Sequence, residues 1–400
     1  MKRKSAYLWL SVLGLILLAA GGSGLLFFKN WRFFQSDYPV VLNKVAPDKV
    51  LISSNQEGTS SSQERPSSNQ DYASSSRRLI KPSASPRLDQ TISLLFFGDL
   101  MLDRHVGDKL KNLHLNYLLQ ALASSTPNIL AGHDLVGANL EGAVTNQGAH
   151  YNPVQAYDFA FLPARIQELQ SYGFNFFSIA NNHITDQGAR GLEETRKNLT
   201  ELGLNYSGSA DAAVDQNSLR VVDIKGKKIA FISLSMVYHD FNLKEAVELI
   251  RAAQVQADLV IINIHWGTEY QHQFSQHQQT IGRALIEAGA DIIIGHHPHV
   301  VQGMEIYQNK PIFYSLGNFI FDQYFSPDTQ QGLAIGLDIL GNQTTVFLFP
   351  LQSRASIPQL MSGEDKINFL NKYVAWSQLS DEAGKDIRQS KIEITGGVGK

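Results

Sequence analysis

With 400 residues the chain is long enough for one large domain or two smaller ones, and its formal net charge of −3 lacks the basic excess that draws proteins to nucleic acid. It contains no cysteine, which excludes disulfides, thiolate metal sites and cysteine nucleophiles. Any metal must be held by His, Asp, Glu or Asn, so the 12 histidines are the residues to place.

Residues 6–28 carry no charge. A helix of that length rises roughly 34 Å, enough to cross a bilayer core. Lys2, Arg3 and Lys4 precede it, which by the positive-inside tendency keeps the N-terminus in the cytoplasm and sends the chain outside, although Lys29 and Arg32 weaken the bias. A cleaved signal peptide is the competing reading, because Ala19 and Ala20 resemble a cleavage site, but the apolar run continues through Leu25, Leu26, Phe27 and Phe28. The expectation is a single-pass cell-membrane protein, with residues 1–34 forming the cytoplasmic terminus and anchor and residues 6–28 lying in the lipid bilayer.

From about residue 53 to 87 Ser, Gln, Asn, Pro and charge dominate, so 35–90 reads as a disordered Ser-rich linker and 91–400 as an extracytoplasmic folded domain. There, short apolar runs alternate with stretches of helical spacing, the punctuation of an α/β fold. Strands are expected at 92–97, 135–138, 174–179, 228–234, 259–264 and 291–294. Helices are expected at 113–123, 190–202, 244–256 and 275–288. Two hairpins follow, 304–307 with 312–314 around Asn309, and 333–340 with 344–350 around Gly341 and Asn342.

Nearly every expected strand runs into a carboxylate, Asn or His, where ligand sites of α/β sheets lie. The first ends in Gly98 and Asp99, the second in Asn139 and Glu141, and the third in Asn181, Asn182 and His183 with Asp186 close behind. Later strands end in His265 and Trp266 and in Gly295, His296, His297 and His299, and the first hairpin closes on Asn318. Singly, each has a duller reading: Asp99 as a turn cap, Glu141 as a solvated loop acid, Asn181 and Asn182 as a turn, His265 as a hydrogen-bonded core histidine. Strand ends along one sheet edge are neighbours, and convergence there points to a metal site. Carboxylate, Asn and several imidazoles describe one or two divalent ions of Zn, Mn or Fe rather than Ca. Glu141 is the natural bridge between two ions. Trp266, Tyr270, Tyr314, Phe319 and Tyr324 read either as core or as the lining of a polymer groove.

The order Gly98-Asp99-Leu100-Met101, Asn139-Leu140-Glu141, Asn181-Asn182-His183 with Asp186, His265-Trp266-Gly267, Gly295-His296-His297-Pro298-His299 and Ser315-Leu316-Gly317-Asn318 resembles the CapA/PgsA capsule (poly-γ-glutamate) synthesis family, a branch of the calcineurin-like metallophosphoesterases. The resemblance implies a four-layer α-β-β-α sandwich and a role in making or exporting poly-γ-glutamate or a related polymer. The partners it implies are an anionic cell-surface polymer or its precursor and membrane synthase subunits. By motif, Asp99 matches the first acidic ligand, Glu141 the bridging acid, Asn182 the Asn ligand, His265 the later single His, and His296, His297 and His299 the segment that contains the terminal pair. His183, with Asp186, matches a general acid or oxyanion stabiliser, and Asn139 and Asn318 lie in the same pocket. One departure is Met101, where the parent superfamily has a second ligand, usually His. Hydrolysis by the domain, and polymer binding or assembly without turnover, both remain open at this point.

Overall fold

The computed structural model describes residues 90–151 and 157–399. The expected span at 6–28, its cytoplasmic flank and the linker lie outside the described residues. Among the described residues no helix is long and apolar enough to cross a membrane.

In chain order the strands are β1 (Ile92–Leu100), β2 (Leu135–Leu140), β3 (Ala143–Val144), β4 (Ala160–Phe161), β5 (Phe174–Ser178), β6 (Asn205–Ser207), β7 (Leu219–Ile224), β8 (Lys227–Met236), β9 (Leu259–Trp266), β10 (Ile292–His296), β11 (Val301–Tyr307), β12 (Lys310–Leu316), β13 (Asn318–Ile320), β14 (Gln331–Leu340), β15 (Gln343–Arg354), β16 (Ile357–Leu360) and β17 (Lys391–Thr395). The helices are α1 (Arg104–Asn112), α2 (Asn116–Ala123), α3 (Pro163–Gln170), α4 (Gly188–Glu201), α5 (Leu243–Gln256), α6 (Gln276–Ala288), α7 (Gly363–Trp376) and α8 (Asp381–Arg388).

One sheet has the order β16, β15, β14, β1, β2, β5, β6, with β13 parallel to the end of β1 and β17 antiparallel to β15. The other runs β11, β12, β10, β9, β8, β7. Side-chain alternation along β1 explains how they stack. Leu95 and Phe97 join Val106, Leu118, Ile166 and Leu199 of the helices, whereas Leu94 and Phe96 join Phe231, Ile261, Ile294 and Phe313 of the second sheet. On that sheet's far face Ile232, Ile262 and Ile293 pack against Ile250 of α5 and Leu285 of α6. The layers therefore run helix, sheet, sheet, helix. The middle strands are buried on both faces and carry almost no polar residue until their last positions, as in β9, where all eight residues are buried.

The expected strands and both hairpins are present, with boundaries moved by a few residues. The helix expected at 113–123 is α2, which starts three residues later because Leu113 is extended (φ −125°, ψ 150°), and α1 before it was not expected. Helix α1 buries only Val106 and Leu110, too thin a stripe to read as a period. The closing α7 and α8 place Phe369, Tyr373 and Ile387 in the cluster between the sheets.

Candidate metal centre

Strand register gathers the polar residues. Asp99 pairs with Asn139 across β1 and β2 and with Asn318 across β1 and β13, while Asn139 pairs with Ser178 of β5. In the second sheet His265 pairs with His296. Two glycines make the approach close enough. A Cβ on Gly98 would stand 1.8 Å from the Gly317 carbonyl oxygen, and its absence lets the Asp99 N–H donate to that oxygen at 2.9 Å. Gly142, at φ +133°, has Phe159 and Phe161 where a side chain would be.

Asn139 sits at the hub. Its Nδ2 lies 2.8 Å from Asp99 Oδ1, 3.4 Å from Glu141 Oε2 and 3.2 Å from His265 Nδ1, and its Oδ1 accepts from Asn181 at 3.3 Å. His265 Nε2 lies 2.8 Å from Asn182 Oδ1. His299 Nδ1 is 3.0 Å from Asn318 Oδ1 and 3.4 Å from Asp99 Oδ2, with its Nε2 3.7 Å from Glu141 Oε1. His183 Nδ1 donates to Asp186 Oδ2 at 2.9 Å and points Nε2 at Glu141 Oε1, 3.8 Å away.

Among the three clustered histidines, His297 and His299 group with His265: ring centroids are 4.8 Å apart for His265 and His297 and 5.9 Å for His297 and His299. His297 and His299 have φ of +95° and +57°, a left-handed conformation that costs about 1–3 kcal/mol at each non-glycine residue and aims both rings into the pocket. His296 instead directs Nε2 to Asn263 Oδ1 at 3.4 Å and keeps Nδ1 3.6 Å from Asp99 Oδ1.

Burial and mutual charge pull these groups apart electrostatically. Burial pushes the Glu141 carboxyl well up, with Asp99, Glu269 and Asp186 adding to the rise against the opposing charge of His299. Burial also works on Asp99, but His299, His296 and the Asn139 amide hold it below the ordinary carboxylate range. Desolvation drives His265 well down, His296 to about 4 and His297 to about 3. His299 resists its own burial and rises to about 9 because Glu141 and Asp99 face it.

Glu141 Oε1 and His297 Nδ1 are buried without a hydrogen-bond partner. Leaving such atoms unsatisfied costs about 1–3 kcal/mol each, and a cation bound at either one would satisfy it. One ligand atom each from Asp99, Glu141 and His299 lie within 4.8 Å of one another, all three residues being buried. The donor set fits a borderline divalent ion. Met101 adds nothing to it: the side chain is buried in the helix-side cluster and its sulfur accepts from the Asp103 N–H.

Sequence reasoning missed Glu269, whose carboxylate forms a second group with His297 and His299, one ligand atom of each lying within 4.8 Å of the others. The available signal was its place two residues after Gly267 in the turn that follows β9. The aromatic expectation divides. Trp266, Tyr314 and Phe319 are buried core, whereas Tyr270 and Tyr324 are exposed. Tyr157, 54% exposed, meets the His183 ring edge-on at 5.7 Å, and Tyr238, 66% exposed, brings its hydroxyl to 3.5 Å from Asn182 Nδ2. Both were missed because they lie in irregular segments away from the strand-end motifs.

Several known proteins are similar to this chain. The chain is 29% identical over 327 residues to the capsule biosynthesis protein CapA of Bacillus anthracis, covering 76% of this chain and 77% of that one. It is 31% identical over 257 residues to the PGA biosynthesis protein CapA of Bacillus subtilis (strain 168), covering 60% of this chain and 66% of that one. A solved hypothetical protein from Thermus thermophilus superposes at a TM-score of 0.45 with 14% identity, over 66% of this chain and 100% of that one. Residues 93–323 match the family described as bacterial capsule synthesis protein PGA_cap, and the chain belongs to that family.

Proposed function

We propose that this chain is a membrane-anchored protein whose outer domain uses a divalent-cation site in making or exporting an anionic capsular polymer of the poly-γ-glutamate class, beside membrane synthase subunits. Glu141 carries the metal part of the reading: it is fully buried, one of its oxygens has no hydrogen-bond partner, and that oxygen faces the Nε2 atoms of His183 and His299 at 3.8 and 3.7 Å. The polymer class rests on the family and on the names of the two Bacillus relatives. The anchor rests on the apolar run at 6–28 behind Lys2, Arg3 and Lys4. The layer order of helix, sheet, sheet, helix supports reading the domain as a sandwich of the metallophosphoesterase type.

Asp99, Glu141, Asn182, His265, His297 and His299 would hold one or two divalent ions. A bound divalent ion supplies Lewis-acid polarisation of a phosphoryl or carbonyl oxygen. The remaining work falls to the chain. Asp186 fixes the Nδ1 hydrogen of His183, leaving Nε2 to hold or deliver a proton to a leaving group. Asn139 orients both carboxylates and His265 at once. The exposed rings of Tyr157, Tyr238 and Tyr270 offer flat faces for the methylene segments of a polymer.

A binding or assembly subunit without turnover is the second reading, favoured by the apolar burial of Met101, which leaves one ligand position without a nitrogen or oxygen donor. Metal analysis of the purified full chain tests the metal site, with hydrolysis of a generic phosphodiester and polymer output measured beside it. Failure to bind Mn²⁺ or Zn²⁺ when supplied would remove the metal site and the hydrolase reading with it. Bound metal and Glu141-dependent polymer output without hydrolysis would select the binding subunit.

A further inference from the structure

Glu269 stands outside every motif that the resemblance carries, yet the fold holds it at the pocket. The turn after β9 begins at Gly267, whose φ of +93° and contact with the Gln278 side chain leave no room for a Cβ. At Tyr270, the residue after Glu269, the backbone is again left-handed at φ +63°, and the Tyr270 N–H donates to the Pro298 carbonyl at 2.8 Å. That bond ties the turn to the peptide between His297 and His299. The Glu269 carboxylate is thereby set beside both imidazoles while remaining open to solvent. Its charge is felt at Glu141 and at His299. Three carboxylates thus converge around His299, and His297 offers a buried nitrogen without a partner. With Asn318 beside Nδ1 of His299, Nε2 is the nitrogen left for an ion.

We propose that Glu269 is a metal ligand, a carboxylate that closes the solvent side of the ion held at His297 and His299 and supplies a donor in place of the one missing at Met101. This rests on the metal reading of the site, and it predicts a ligand that the family resemblance does not supply. The oxygen donor shifts the preference of the site toward harder borderline ions such as Mn²⁺ relative to a histidine at that position.

The test is Co²⁺ and Mn²⁺ titration of the full chain in detergent, comparing the parent with Glu269→Gln, Glu269→Asp and Glu141→Gln, read by calorimetry and by the visible absorption of bound Co²⁺. Glu269→Gln is an isosteric change at an exposed position, and its melting temperature without metal should match the parent. The expected result is at least about tenfold weaker binding with an altered Co²⁺ spectrum in Glu269→Gln, and partial recovery in Glu269→Asp. Parent-like affinity and spectrum in Glu269→Gln, while Glu141→Gln loses the ion, would overturn the assignment of Glu269 alone. Weaker binding with an unchanged spectrum would also overturn it, since charge without ligation then accounts for the effect. A parent that binds neither ion overturns the metal reading and this inference together.

Discussion

His265 Nε2 lies 2.8 Å from Asn182 Oδ1, so two side chains offered as donors to one ion are bonded to each other. They are 83 residues apart in the chain, Asn182 in the turn after β5 of one sheet and His265 near the end of β9 of the other, so the contact depends on both sheets. An ion entering there replaces the direct bond with two metal bonds.

Replacing His265 by Ala should therefore cost stability mainly in the presence of metal. For the parent, ion at 100 times its dissociation constant adds about 2.7 kcal/mol by mass action. In His265→Ala most of that gain should be missing, along with bound metal after dialysis. Thermal melts with and without Mn²⁺ provide the comparison. An equal metal-induced rise in both proteins would remove His265 from the site.

The pH dependence of the metal-free protein follows from the buried histidines. His296 and His297, near 4 and 3, and His265, well down, bind fewer protons folded than unfolded, so stability is lost as pH falls from about 6.5 toward 4. Glu141, with its raised carboxyl, acts in the opposite direction over part of that window, but three imidazoles face one carboxyl. Above about 6.5 His299 takes over: its stabilisation is complete below the unfolded value and is lost as pH rises through about 9. Melting temperature after chelation should peak near neutrality, and His299→Gln should flatten the alkaline limb. A melting temperature still rising between about pH 7 and 9 would contradict this assignment.

The proposed membrane arrangement makes a separate prediction. With Lys2, Arg3 and Lys4 before the apolar run, an enzymatic reporter fused after Lys400 should be active outside the cytoplasm. Reversing the three charges to Glu should reduce that activity. Activity confined to the cytoplasm in the parent fusion would refute the proposed topology.

Much of this site was legible because the chemistry sits where apolar strands end. Asp99, Glu141 and His265 stand at or just after the end of a buried strand, and His299 follows three residues beyond the end of β10, where buried polar residues have few purposes other than a pocket. The choice between His296 and His297 was not legible, since it depends on the left-handed backbone at His297, which no side-chain pattern announces. Glu269 and Tyr238 were hidden for a related reason: turns position them, and turn geometry is set by contacts such as the Tyr270 N–H with Pro298. The closing helices α7 and α8 were missed because their apolar residues complete a core that mostly belongs to strands distant in sequence.

The last prediction separates turnover from binding through His183. Its Nε2 is 3.8 Å from Glu141, too far for a hydrogen bond, and its Nδ1 is committed to Asp186, whose Oδ2 also accepts from the Phe159 N–H at 3.1 Å. The ring packs on Phe159 with centroids 4.5 Å apart. Position and orientation are thus fixed from the side away from the pocket, which suits a group that meets a reacting atom rather than one that holds an ion. His183→Ala should leave metal content nearly intact and lower the melting temperature only modestly, through lost packing on Phe159. If the domain is a hydrolase, turnover should fall by about 10²–10⁴-fold. Asp186→Asn should keep the ring in place but weaken control of its Nδ1 hydrogen, giving a smaller loss and a displaced pH profile for kcat. Loss of metal in His183→Ala comparable to that in His265→Ala would make His183 a ligand instead. Polymer output that falls in His183→Ala, when the parent hydrolyses none of the phosphodiesters tried, would assign His183 to polymer binding.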